Sequence, residues 1–466
     1  MLPVVALVGR PNVGKSTLFN VLTRTRDALV ADQPGLTRDR HYGVCHLGDR
    51  PFVVVDTGGL SGEDEGMDAL TARQVQLAVE EATVVVFVTD ARAGLTALDR
   101  DILTDLRKRG KPLIVGVNKT DGLDEQTSLA DFAALGIATQ VPLAASHGRG
   151  VDGLLTAIAP HLPTDDDAGE PAAAEAEQGI RVAIVGRPNV GKSTLVNRLL
   201  GEDRVVVSDV AGTTRDSIRV PIERDGKQYT LIDTAGVRRR ARVEEAIEKF
   251  SVIKTLQSIA AAQVVVLLLD AGEGVSEQDA TLIGHVLNEA RALVVVANKW
   301  DNLTKYQREQ CEKSLERRLD FVAWAERVFI SAKHGSGLRE LMKAIDRAHA
   351  SATRQFSSSE LNRAIETAYE AYQPPLVRGH APKLRYAHPG GTNPPTIVIH
   401  GSRTKHLADS YRRYLENFFR KRFKLVGTPL RLEFRDGENP FAGRRNELTE
   451  GQQRKRQRMI RNAKKR

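Results

Sequence analysis

Cysteine is nearly absent from this chain: Cys45 and Cys311 are the only two in 466 residues. A disulfide-built scaffold is thereby excluded, and so sparse a thiol content suits a reducing cytosol. Long apolar runs are missing as well. The longest, such as Val84–Val88 and Val264–Leu269, fall far short of the roughly 20 residues a membrane-spanning helix needs. The N-terminal stretch has neither a basic segment nor a small-residue cleavage site and runs from Leu2 into Val4–Val8, so secretion is not expected. What remains is an ordinary soluble composition, 41% hydrophobic and 27% charged. The length exceeds one core and suggests about three domains. A formal net charge of +9 hints at a polyanionic partner, although a basic balance alone carries little weight.

What is present is a repeat. The stretch Gly9-Arg10-Pro11-Asn12-Val13-Gly14-Lys15-Ser16 recurs unchanged as Gly186-Arg187-Pro188-Asn189-Val190-Gly191-Lys192-Ser193. Both copies fit G-x-x-x-x-G-K-[ST], the loop that wraps nucleotide phosphates. An interval of 177 residues separates Gly9 from Gly186, Thr37 from Thr214 and Asp56 from Asp233. It widens to 180 between Asp121 and Asp301 and to 187 between His147 and His334. Drift confined to later segments means small loop insertions in two copies of one fold.

Each copy alternates strand and helix. Val4–Val8 and Val182–Val185 read as strands entering the loops, and Ser16–Thr25 and Ser193–Leu200 as the helices leaving them. Hairpins follow, the second with an Asp225-Gly226 turn. Further strands fall at Val84–Val88, Leu113–Val117, Val264–Leu269 and Leu293–Val296. The expected fold is α/β: two mostly parallel sheets with helices on both faces. Residues 1–164 and 180–352 form the two domains. Between them, residues 165–179 are acidic and alanine-rich with no basic residue, which suits a mobile linker or a merely exposed acidic loop.

Chemistry follows from the motifs. Loop glycines let backbone N–H groups close on phosphates at the positive end of the next helix. Lys15 and Lys192 should reach the β- and γ-phosphates, with Ser16 and Ser193 as Mg²⁺ ligands. The base is read from Asn118-Lys119-Thr120-Asp121 and Asn298-Lys299-Trp300-Asp301. A carboxylate at the last position accepts two hydrogen bonds from the N1–H and 2-amino edge of guanine. Adenine would leave it unpaired, so GTP is the expected nucleotide. Asp56-Thr57-Gly58-Gly59 and Asp233-Thr234-Ala235-Gly236 end strands; their aspartates should hold Mg²⁺ through water and their glycines sense the γ-phosphate. Thr37 and Thr214 are the candidate second Mg²⁺ ligands, in segments that order on GTP. Ala144-Ala145-Ser146 and Ser331-Ala332-Lys333 should close the guanine pocket with backbone N–H groups, chiefly at Ala145 and Ala332. The first lacks the serine of the second, so weaker loop support is expected there. His147 and His334 read as loop histidines with structural hydrogen bonds.

No glutamine follows either D-x-x-G motif; Leu60 and Val237 stand there. An aliphatic side chain cannot orient the attacking water. Either hydrolysis is slow or other groups align the water and neutralise charge. A carbonyl oxygen of Asn12 or Asn189 offers a ligand for a monovalent cation in the place of an arginine finger; alternatively these asparagines brace the loop.

The order and duplication of these motifs, followed by a basic C-terminal region, resemble the double-Era-like GTPases, the family called Der or EngA, across essentially the whole chain. The resemblance implies a cytoplasmic, monomeric GTPase, stimulated by K⁺ and dependent on Mg²⁺, that binds GTP and GDP and acts on the large ribosomal subunit and its rRNA, with no membrane partner. It also implies a KH-like domain over 353–437. Thr396–His400 and Leu430–Phe434 read as its strands and Leu407–Phe419 as an amphipathic helix. His400-Gly401-Ser402-Arg403 lacks the G-x-x-G clamp of RNA-reading KH domains, and Tyr411, Tyr414, Phe418 and Phe419 read as core rather than as platforms for bases. The tail, 438–466, is strongly basic and suits salt-dependent RNA attraction or simple solubilisation. The copies also diverge: Glu63, Asp64 and Glu65 follow the first D-x-x-G, and Arg238, Arg239, Arg240 and Arg242 the second. One copy is expected to sense nucleotide and reposition the KH-like domain while the other faces RNA. A GTP-regulated RNA scaffold with incidental hydrolysis is the alternative.

Overall fold

The structure is a computed structural model, and it describes residues 2–23, 42–57, 78–163, 179–202, 204–205, 219–232, 252–376 and 380–436. The linker (but for Gly179), the basic tail and the two oppositely charged segments lie outside the described residues.

The first copy runs β1 (Val4–Val8), α1 (Lys15–Leu22), β2 (Tyr42–Cys45), β3 (Phe52–Asp56), β4 (Val84–Asp90), α2 (Ala97–Lys108), β5 (Leu113–Asn118), α3 (Glu125–Ala133), β6 (Gln140–Pro142) and α4 (Val151–Ile158). Its six strands lie in the order β2-β3-β1-β4-β5-β6. Only β2 is antiparallel to its neighbour. Every residue of β1, β3 and β4 is buried, because helices cover both faces of a parallel sheet. Alternation sorts their side chains. Val5 and Leu7 pack with Leu18, Leu22 and Ile158 on one face, while Ala6 and Val8 pack with Leu103, Leu106 and Phe132 on the other. Since β1 is flanked by β3 and β4, the loop leaving it opens at the point where strand order reverses, the usual ligand crevice of such sheets.

The second copy runs β7 (Ile180–Val185), α5 (Lys192–Glu202), β8 (Arg204–Val205), β9 (Arg219–Arg224), β10 (Lys227–Ile232), α6 (Val252–Ala261), β11 (Val264–Asp270), α7 (Glu277–Asn288), β12 (Ala292–Asn298), α8 (Lys305–Arg318), β13 (Glu326–Phe329) and α9 (Leu338–Ala352). Its sheet repeats the first order, extended by the short edge strand β8. The Asp225-Gly226 turn has φ of 49° and 74° and joins antiparallel β9 and β10, as two left-handed residues do in a tight hairpin.

Both copies belong to one compact unit. There, Ile253 and Leu256 of α6 share a small core with Val4, Val53, Val55 and Ala78 of the first copy. Polar contacts frame it: Gln257 Nε2 donates to the Leu2 carbonyl at 2.6 Å, and His46 Nε2 lies 2.9 Å from Glu289 Oε1.

Most of the third domain forms a separate unit. It contains α10 (Ser358–Ala371), β14 (Lys383–Gly391), β15 (Thr396–Ser402), α11 (Asp409–Arg422) and β16 (Arg431–Asp436), with the sheet ordered β14-β15-β16. Tyr411 and Phe419 are fully buried. The hydroxyls of Tyr411 and Tyr414 donate to the carbonyls of Tyr372 and Ala368 at 2.9 and 2.8 Å. Tyr411 and Phe419 are therefore core, as expected, while Tyr414 and Phe418 are half-buried. Strand β14 is an addition. Its Lys383–Gly391 sequence is mostly exposed and carries Pro389 and two glycines, so no apolar alternation announces it. Its place comes from pairing with β15.

Candidate functional site

The two phosphate loops are built alike. Val8 and Val185 end strands, and α1 and α5 start at Lys15 and Lys192. Lys15 Nζ folds back to donate to the carbonyls of Gly9 and Arg10 at 2.7 and 2.8 Å. Lys192 does the same to Gly186 and Arg187 at 2.9 and 2.7 Å. Burial lowers the Lys15 ammonium below its ordinary pKa; Asp56 opposes this and Arg10 adds to it. Ser16 Oγ donates to Asp56 Oδ2 at 2.6 Å, so a hydroxyl and a carboxylate, hard oxygen donors of the kind Mg²⁺ takes, already adjoin the loop. Thr57 is turned inward and donates to the Leu7 carbonyl at 2.7 Å. Thr37, Gly58, Gly59, Leu60, Thr214, Asp233, Thr234, Ala235, Gly236 and Val237 lie outside the described residues.

Asn118 and Asn298 tie the loops to the candidate base pocket. Asn118 Nδ2 donates to the Val13 carbonyl at 2.8 Å, and its Oδ1 accepts from the Ala145 N–H at 3.0 Å. Asn298 repeats this with Val190 and Ala332 at 2.8 and 2.9 Å. The fit explains the second loop glycine. A Cβ at Gly14 or Gly191 would stand 2.3 Å from the asparagine amide, and φ there is near 100°. Ala145 and Ala332 are thus held alike, but Ser331 adds bonds to the His334 N–H at 3.3 Å and to Asp301 that Ala144 in the first copy has no hydroxyl to make.

Lysines brace the same framework. Lys119 Nζ donates to the Asn12 carbonyl and to Asp90 Oδ2, both at 2.8 Å, and Lys299 Nζ lies 2.6 Å from Asp270 Oδ2. Burial pushes the Asp90 and Asp270 carboxyls up, but hydrogen bonds from lysine and backbone N–H groups outweigh it and hold both below the usual range. Asn12 and Asn189 are left-handed, with φ of 65° and 62°.

Sequence reasoning missed three groups. Arg10 Nε lies 3.5 Å from Asp99 Oδ2, and Arg187 Nε 3.1 Å from Asp279 Oδ2. Both aspartates are fully buried and also close capping boxes with Thr96 and Ser276. That T-x-x-D and S-x-x-D repeat was the available signal. Arg92 pairs with Asp121. In the second copy the matching carboxylate, Asp301, is held below the usual range first by a hydrogen bond from Ser331, and His334 Nε2 lies 3.3 Å from it. His334 therefore reaches a candidate site residue, whereas the contact described for His147 is a backbone one to Ala144. Trp300 packs on Phe329 with ring centroids 4.3 Å apart, and Thr120 Oγ1 donates to the Leu143 carbonyl at 2.9 Å.

Two family profiles match. One, described as a 50S ribosome-binding GTPase, covers residues 4–119 and 181–299. The other, the C-terminal KH-domain-like region of EngA bacterial GTPase enzymes, covers 355–435. Proteins named GTPase Der from Xylella fastidiosa (strain M23), Xanthomonas axonopodis pv. citri (strain 306) and Stenotrophomonas maltophilia (strain K279a) are 60%, 59% and 58% identical to it over 465 residues, covering 100% of each chain. The chain belongs to the Der family of GTPases. It is a GTP-binding protein with two G domains and a C-terminal KH-like domain. Among the described residues no helix is long and apolar enough to cross a membrane.

Proposed function

We propose that this chain is a Mg²⁺-dependent, K⁺-stimulated GTPase of the cytoplasm that acts as a monomer in assembly of the large ribosomal subunit, its nucleotide state gating contact with rRNA. The observation that carries the reading is the duplicated network joining each phosphate loop, through Asn118 or Asn298, to the Ala145 or Ala332 N–H of the candidate base pocket. The matching family, that of a 50S ribosome-binding GTPase, supports the choice of partner.

In this mechanism phosphates draw Lys15 and Lys192 off the loop carbonyls and onto the β- and γ-oxygens. Loop N–H groups hold the same oxygens, so charge developing on the leaving diphosphate meets donors already in position. Ser16, Thr37 and Asp56, with Ser193, Thr214 and Asp233, would hold Mg²⁺, which neutralises phosphate charge when bound. Asp121 and Asp301 accept from the guanine edge, and Ala145 and Ala332 close the pocket. The glycines of Asp56-Thr57-Gly58-Gly59 and Asp233-Thr234-Ala235-Gly236 report the γ-phosphate. With Leu60 and Val237 unable to orient water, Asn12 and Asn189 would hold K⁺, which would supply the missing positive charge when bound.

Lys15→Ala and Lys192→Ala, made separately and assayed for GTP turnover in potassium and in sodium and for association with the large subunit, test the reading. Each variant should lose one share of a potassium-stimulated turnover, and subunit association should become insensitive to nucleotide in at least one. Equal rates in the two salts would remove the cation role, and association indifferent to both lysines would remove the gating.

A further inference from the structure

The sheet of the KH-like domain carries a pair of histidines that neither nucleotide site uses. His388 lies on β14 and His400 on the neighbouring β15. Their Nε2 atoms face each other at 3.1 Å, and the ring centroids are 5.2 Å apart. The other nitrogen of His388, Nδ1, lies 3.0 Å from the Pro389 carbonyl oxygen. A carbonyl only accepts, so Nδ1 carries the proton and Nε2 presents a lone pair toward His400. That is how ligating histidines are oriented: the far N–H is given to a carbonyl, which fixes tautomer and ring plane. The ring of His400 is steadied too, stacked on Tyr386 at 4.4 Å and 6°.

We propose that His388 and His400 form a two-imidazole site for a divalent transition metal, with zinc as the reference ion. Two nitrogens each about 2.0–2.1 Å from tetrahedral zinc stand about 3.3–3.4 Å apart, so the pair needs to open by only a few tenths of an ångström. Without metal, the same geometry is served by one hydrogen bond from His400 Nε2–H to His388 Nε2. Among the described residues no group of three or more His, Cys, Asp or Glu converges, so this is not a closed structural zinc centre. Its remaining positions take water or an oxygen of a bound ligand. Two neutral imidazoles select Zn²⁺, Cu²⁺ or Ni²⁺ over Mg²⁺ and Ca²⁺, which prefer oxygen.

Zinc titrated calorimetrically into the full chain, held in excess Mg·GDP so that the G domains are occupied, tests the site. The wild-type chain should bind one zinc that His388→Ala and His400→Ala each weaken by more than about tenfold, the cost already known for losing an outer-sphere partner of a ligand. GDP affinity of both variants should be unchanged, an unchanged circular dichroism spectrum and protease resistance of the KH-like domain should certify its fold, and zinc-edge absorption of the wild type should report imidazole nitrogens. Should His400→Ala fail to fold, His388→Ala, whose side chain is at the sheet surface, decides alone. Absence of a zinc event in the wild type, or an event that both variants retain at full strength, overturns the proposal and leaves a plain imidazole–imidazole hydrogen bond.

Discussion

Arg92 donates through Nη2 to the Asp121 carboxylate and, at 3.2 Å, to the Asp121 carbonyl. The second copy has no such arginine: Gly272 makes the contact to Asp270 that the Arg92 backbone makes to Asp90, and Asp301 leans on Ser331 and His334 instead. The two carboxylates proposed to read guanine are thus prepared differently. On that proposal, a guanine entering the first domain must displace a cation from its partner.

Replacing Arg92 by alanine should therefore strengthen GDP binding in the first domain. The pair is partly exposed, with side chains 56% and 27% accessible, so the gain is held to about 1 kcal/mol, or up to about fivefold in affinity. Fluorescent GDP titrated into the variant on a Lys192→Ala background reads the first site alone.

Asn118→Ala should damage its domain more. It leaves the Val13 carbonyl and the Ala145 N–H, both buried, without their partner, at about 1–3 kcal/mol per group. Thermal unfolding should show one early transition belonging to the first domain, only partly restored by saturating GDP. Asn298→Ala should do the same to the second.

The contact between the two G domains should depend on pH through His46. The hydrogen bond that His46 Nε2–H donates to Glu289 raises the His46 pKa, with burial opposing it. A raised pKa stabilises below the ordinary histidine value of 6.5 and is lost as pH rises through the folded value. The unfolding midpoint should fall more between pH 6 and 8 in the wild type than in His46→Ala, whose midpoint should be the flatter one over about that range.

Much of this was legible beforehand because the phosphate loop, the guanine motif and the β-branched runs each encode a local backbone requirement. Val84–Val88 and Leu113–Val117 were read as strands and extend by only one or two residues, to Asp90 and Asn118. The KH-like elements shifted more. The amphipathic stretch 407–419 became a helix over Asp409–Arg422, and 430–434 a strand over Arg431–Asp436, since ends are set by tertiary neighbours. What stayed hidden was long-range pairing. Arg92 and Asp121 are far apart in sequence, and no local pattern joins them. His334 looked like a loop histidine because its partner, Asp301, comes close only through the turn after β13. Strand β14 was invisible for the same reason: its partner, not its pattern, makes it a strand.

The central claim, two independent guanine-specific sites in one chain, is tested most directly by counting bound nucleotides after Asp121→Asn and Asp301→Asn. Asparagine offers a donor where aspartate only accepts, which suits the 2-oxo group of xanthine and leaves guanine's amino group unpaired. Equilibrium binding should find two GDP and no XDP on the wild-type chain, and one GDP with one XDP on each single variant. A variant that still holds two GDP, or that loses one without gaining XDP while remaining folded, would contradict the account.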